Sequence, residues 1–137
     1  MKKLVILILL TGLLCTGCGR RVPTTTVPTH RVVTGIDITF QNGPLYVRRI
    51  YTHPEKMSAI LHYLRFIDPY GTPQEPPESV TGSDFYIVLS FSDGGQKLYR
   101  QHADRYMQVD GGEWKRIDIK KALELSRIVS YMRSDTV

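Results

Sequence analysis

Imidazole is the side chain best suited to moving protons near neutral pH and to ligating metal. His30, His53, His62 and His102 are therefore the first places to look for chemistry. Their spacing argues against both uses. None forms an i,i+4 pair with another histidine or joins a carboxylate cluster of ligand spacing. They read as surface histidines, and no metal ligand is assigned. Ser–His–Asp catalysis needs a nucleophile on a strained turn beside an oxyanion hole. The chain has no G-x-S-x-G elbow and no S-x-x-K. Glu75 and Glu78 fall in a proline-rich stretch, a poor platform for general acid–base work. Asp93-Gly94-Gly95 and Asp110-Gly111-Gly112 are turn chemistry, and neither belongs to a phosphate loop or an EF-hand loop. No catalytic residue and no cofactor is expected, and the chain is read as a non-enzyme.

One segment concentrates recognition chemistry. Tyr99, Arg100, Gln101, His102, Asp104, Arg105, Tyr106 and Trp114 crowd a short span, and Tyr, Trp and Arg are the types that carry binding hot spots. Tyr99, Gln101, Tyr106 and Trp114 form a candidate binding surface if they share a sheet face. The alternative is ordinary cross-strand pairing on a half-solvated sheet, with Tyr106 and Trp114 meeting across a hairpin to close the core.

Both cysteines lie near the start of the chain, at positions 15 and 18. Met1-Lys2-Lys3 precedes an apolar run from Leu4 to Leu14, followed by Cys15-Thr16-Gly17-Cys18. A basic start, an apolar stretch and a small residue before a cut are the parts of a secretory signal. The run is too short to span a bilayer, which takes roughly 18 or more apolar residues. A cysteine directly after the cut resembles the lipobox of bacterial lipoproteins. Thr16 and Gly17 fit that pattern, while Cys15 stands where Leu is usual. The resemblance implies that residues 1–17 are a lipoprotein signal peptide. It also implies that Cys18 carries a diacylglycerol thioether and anchors the chain outside the cytoplasmic membrane. The alternative is an ordinary signal peptide cut near Gly17. Cleavage before Cys18 lowers Lys+Arg from 18 to 16 against 13 Asp+Glu, so the net charge falls from +5 to +3. With so mild a charge and no basic stripe, nucleic acid is not an expected partner. The region behind the leader has no cysteine, which excludes a disulfide, a thiolate metal site or a thiol nucleophile there.

The elements follow from pattern. Residues 18–33 hold Pro23, Pro28 and four threonines without apolar periodicity, and read as an extended tether. Residues 34–137 suffice for one α+β domain. Ile36, Ile38 and Phe40 alternate as a strand, Asn42-Gly43 marks a hairpin turn, and Leu45 to Ile50 returns. Thr52-His53-Pro54-Glu55 has the form of a capping box. Met57, Ile60, Leu61, Leu64 and Ile67 then line one helical face. Pro69 to Ser83 reads as a long surface loop. Asp84 to Ser92, Gln96 to His102, Arg105 to Val109 and Glu113 to Ile117 form a meander, with Ala103-Asp104 a turn or bulge. Asp118 caps a last helix, with Ala122, Leu125, Val129 and Met132 inward. The order β-β-α-β-β-β-β-α predicts an antiparallel sheet of five to six strands with two helices on one face.

The stretch from Glu78 to Asp118 carries a strand, Ser-Asp-Gly, Tyr-Arg, a Tyr hairpin and Gly-Gly-x-Trp before the helix. It is similar to domains of small uncharacterised lipoproteins from Gram-positive gut bacteria, and to outer segments of membrane-bound sensor peptidases. That resemblance implies habitat rather than mechanism. The sequence therefore predicts a lipid-anchored, extracytoplasmic binding or sensory module. Its partners would be membrane lipid through Cys18 and an exported protein, a peptide or a cell-wall component. The alternative is an inhibitor or immunity protein that sequesters an exported enzyme.

Overall fold

The computed structural model describes residues 31–135. The leader, Cys18 and the tether as far as position 30 lie outside them. The described residues form the strands β1 (Val33–Asn42), β2 (Leu45–Tyr51), β3 (Asp84–Phe91), β4 (Gln96–His102), β5 (Tyr106–Val109) and β6 (Lys115–Arg116). Helix α1 (Pro54–Phe66) follows β2, and α2 (Ile119–Tyr131) follows β6. The strands make one antiparallel sheet in the order β2-β1-β3-β4-β5-β6. The chain is thus the α+β sheet with two helices that its periodicities predict.

Alternation decides what fills the core. Ile36 pairs with Leu89, Ile38 with Ile87 and Phe40 with Phe85 across β1 and β3, so one sheet face is a continuous apolar surface. Helix α1 lays Met57, Ile60, Tyr63 and the following Ile67 on that face, and α2 adds Ala122, Leu125 and Val129. Ile36, Ile38, Ile60 and Ile87 keep at most 1% of their surface, a burial worth roughly 1.5–3 kcal/mol for each side chain. The other face carries Asp37, Thr39, Tyr86 and Ser90, all half-buried, and no helix packs there among the described residues.

Four local expectations shift. The first hairpin turns on Gly43-Pro44 rather than Asn42-Gly43, since Asn42 already pairs with Leu45. Gly43 has φ +55° and Pro44 cannot follow with positive φ, which is the II′ pattern. The tether ends before residue 33, because Val33 lies in β1 and the Ser92 N–H donates to the Val32 carbonyl at 2.8 Å. The last strand shrinks to Lys115–Arg116. The capping box at Thr52 does not form.

His53 stands at the N-cap of α1 without a side-chain cap bond. The N–H groups of Thr52 and His53 both donate to Asp135 Oδ2 at 2.8 Å. Lys56 donates to the same carboxylate, and also to the Arg133 carbonyl at 2.9 Å. The N-cap is thus His53 rather than Thr52, and the Asp135 carboxylate holds the N–H groups of the N-cap and of the residue before it. Burial works to raise the Asp135 carboxyl, but the bonds from Lys56, His53 and Thr52 outweigh it and hold the group well below the usual carboxylate range. Asp135 N–H and Ser134 Oγ also bond the Ile50 carbonyl, at 2.8 and 3.0 Å, and the Ile50 N–H donates to Ser134 Oγ. This covers the end of the β2 edge, which would otherwise offer unpaired backbone.

Residues 69–83 lie along the opposite edge as a strap. The Tyr70 N–H donates to the Arg116 carbonyl and the Gln74 N–H to the Trp114 carbonyl, each at 2.9 Å. Near its end, the Ala103 N–H donates to the Ser83 carbonyl at 2.8 Å.

Candidate binding groove

The helices leave a cleft of about 530 Å³ between their facing flanks. Ala59, His62 and Phe66 recur at helical spacing on α1, and Lys120, Glu124 and Ile128 do so on α2. Tyr63 and Lys121 complete the lining. The walls are largely aliphatic and aromatic, and Phe66 keeps 48% of its surface exposed. His62 stacks on Phe66 with centroids 6.3 Å apart. Lys121 Nζ lies 4.5 Å from the Phe66 centroid and donates to the Phe66 carbonyl at 3.3 Å. That bond satisfies a carbonyl at the end of α1, where a cation is favoured. Arg127 Nη1 pairs with Glu124 at 3.1 Å. The cleft therefore ends in two lysines, while its one carboxylate already has a partner. Such a site suits a ligand with an apolar body and a negatively charged end, and its volume falls within the range of roughly 300–1,000 Å³ typical of ligand pockets.

Beneath the groove lies a buried polar cluster. The Tyr63 hydroxyl donates to Gln101 Oε1, and Gln101 Nε2 donates to Asp104 Oδ1 at 2.9 Å. Both Tyr63 and Gln101 are almost wholly removed from solvent. Burial pushes the Tyr63 hydroxyl far above its ordinary pKa; the Asp104 charge adds to the rise and the Gln101 bond opposes it. Tyr63 is thus a fixed neutral donor to the core.

The four residues nominated from sequence do not come together as a surface. Tyr99 pairs with Ile87 and Gln101 with Phe85, which places both on the helix side of the sheet. Tyr106 pairs with His102 on the opposite side. Gln101 has no exposed surface, and Tyr106 and Trp114 keep 6% each. Tyr99 is half-buried, with Lys97 Nζ 5.1 Å from its ring centroid. The single-face expectation fails because strand alternation separates Tyr106 from Gln101.

Trp114 packs against the open face with other partners. Its ring meets His102 edge-on at 6.4 Å, and the Arg100 guanidinium sits 5.2 Å from it and 5.3 Å from the Tyr86 ring. Arg100 Nε is buried between these rings without a hydrogen-bond partner, and Arg100 Nη2 lies 3.9 Å from Asp84. His102 Nδ1 is 2.9 Å from Asp84 Oδ1, and His102 Nε2 is 3.2 Å from the Val80 carbonyl. The Asp84–His102 pairing was readable by counting equal steps outward from the Asp93-Gly94-Gly95 turn. The groove was not readable, since it needs the relative placement of two helices. Among the described residues, no three His, Cys, Asp or Glu side chains converge as metal ligands. No described helix is long and apolar enough to cross a membrane.

No family model, curated protein or solved structure matches the chain.

Proposed function

We propose that this chain is a lipid-anchored, extracytoplasmic and non-enzymatic binding module whose ligand seats between α1 and α2. The observation that carries the reading is the groove: apolar walls, a lysine pair at one end, and a floor tyrosine already bonded to the core. The address rests on the leader and Cys18. The ligand belongs to an exported protein, a peptide or cell-wall material. An inhibitor would use the proline-rich segment 69–83, but Tyr70, Gln74 and Ser83 bond that segment to the sheet. The groove is the stronger reading for that reason.

Two experiments test the proposal. A photocrosslinker placed at Ile128 in the host should give a discrete adduct that one at Thr39, on the open sheet face, does not. Equal or absent adducts from both positions would refute the groove. Metabolic labelling with a fatty-acid analogue should mark the wild type and not Cys18→Ala. Undiminished labelling of the variant would remove the anchor.

A further inference from the structure

Three cations gather at one end of the groove without an anion to answer them. Lys120 lines the groove and also a second cavity of about 360 Å³, whose walls include Arg105, Arg116 and Tyr70. Among the described residues, none of Lys120, Arg105 and Arg116 forms an ion pair. The one carboxylate in the cavity wall, Asp118, is engaged as the cap of α2 and accepts from the Lys121 N–H at 3.1 Å. Three cations against one carboxylate leave a formal charge of +2. The backbone beneath them is fixed. The Arg105 carbonyl accepts from the Ile117 N–H and the Arg116 carbonyl from the Tyr70 N–H, each at 2.9 Å, and Lys120 stands in the first turn of α2. Like charges gathered on fixed backbone repel one another, and a bound anion removes that repulsion.

Away from Lys120 the groove continues. A depression of about 290 Å³ shares Ala59, Glu124 and Ile128 with it and extends to Tyr131 and Met132. Lys120 and Tyr131 lie near opposite ends of α2, about 16 Å apart at a rise of 1.5 Å per residue. A fully extended chain of tetrahedral carbons advances about 1.2 Å per bond, so this length holds about a dozen carbons. Both walls are helices, whose main-chain N–H and C=O groups bond within each helix. The Phe66 carbonyl at the end of α1 is taken by Lys121, the Tyr63 hydroxyl by Gln101 and the Glu124 carboxylate by Arg127. An extended peptide laid here would bury its own N–H and C=O groups without partners, at roughly 1–3 kcal/mol each. A hydrocarbon chain has no such groups to satisfy.

Taking the groove as the binding site, we propose that its ligand is a single hydrocarbon chain ending in phosphate. The chain lies between α1 and α2, and the phosphate sits in the cavity of Arg105, Arg116 and Lys120. Lys120 joins the two parts, since it lines both. A phosphate monoester carries about −1.5 to −2 charge at neutral pH and three acceptor oxygens, which matches the charge of the cavity. The planar fork of arginine suits those oxygens. A carboxylate brings one charge and two oxygens, and leaves cations in the cavity unanswered.

The full chain, reconstituted in phosphatidylcholine vesicles, would be irradiated with dodecyl phosphate and with dodecanoate, each carrying a diazirine on its chain. Mass spectrometry then maps the adducts. Dodecyl phosphate should label α1 and α2 about tenfold more than dodecanoate does. The double variant Arg105→Gln/Arg116→Gln should lose that preference. Equal labelling of the helices by the two probes overturns the phosphate head, as does a preference that survives in the double variant; both results leave the groove standing. Absence of helix labelling by either probe overturns the hydrocarbon chain. A discrete adduct at Ile128 but not at Thr39 would then keep the groove and assign it to a peptide. If circular dichroism shows the double variant unfolded, Lys120→Gln replaces it, and an undiminished preference in that variant overturns the proposal.

Discussion

Replacing Tyr63 with Phe removes one oxygen from a packed interior and little else. Its hydroxyl is the donor to Gln101 Oε1, and neither side chain has water to substitute, with relative exposures of 1% and 0%. Leaving that carbonyl without a donor should cost about 1–3 kcal/mol, more than the net worth of the bond itself. Gln101→Leu leaves the Tyr63 hydroxyl unpaired and frees Asp104, and should cost a similar amount. The informative molecule is the double variant. Replacing both partners with apolar groups of similar shape removes the unpaired atoms together. Its cost should therefore fall short of the sum of the singles by about 1–2 kcal/mol. Urea unfolding followed by circular dichroism gives each free energy by linear extrapolation. Additivity of the two substitutions to within about 0.5 kcal/mol would refute the coupled cluster. So would a Tyr63→Phe variant as stable as the wild type.

Three further outcomes follow from other contacts. Asp135→Ala should lower the thermal midpoint, because Thr52 and His53 lose their acceptor and Lys56 loses its carboxylate partner. The carboxyl is held below its unfolded value of about 3.9, so its contribution is fully present above that pH and is lost as pH falls through the lower folded value. Urea midpoints taken from about pH 5 down to pH 2 should therefore fall more steeply in the wild type than in Asp135→Asn. Ala103 sits at φ +51°, a conformation that disfavours a Cβ. Ala103→Gly should raise stability by about 0.5–1 kcal/mol by equilibrium unfolding. Gly82→Ala forces a Cβ to 2.7 Å from Ala103; it should destabilise by roughly 1–3 kcal/mol by urea unfolding.

The boundary between what the sequence revealed and what it hid follows the range of the interactions. Phe85, Ile87 and Leu89 alternate because a strand turns every second side chain to one face, and their burial was readable from five consecutive residues. The stripe Ala122, Leu125 and Val129 was readable for the same local reason. The start of α1 was misread because Thr52 and Glu55 satisfy a local rule, while the carboxylate that holds the N–H groups of Thr52 and His53 arrives from residue 135. Gln101 was misplaced by its polarity. Its position in β4 puts it in phase with Phe85, and only the approach of Tyr63 from α1 makes that burial tolerable. Tyr106 and Trp114 were nominated for a binding surface and are buried, and no periodicity in 69–83 showed that this segment would lie beside them.

The long irregular segment has a physical reason to be where it is. Strand β6 is only two residues long, and an edge so short cannot close a sheet against further pairing. A longer β6 would satisfy its own neighbour but present a fresh unpaired edge. The strap instead donates single hydrogen bonds to Trp114 and Arg116, and Pro69, Pro73, Pro76 and Pro77 keep it from becoming a strand that could recruit another. The prolines also limit how firmly it can be held, since each removes a donor from the backbone. Much of its attachment is left to a few discrete contacts.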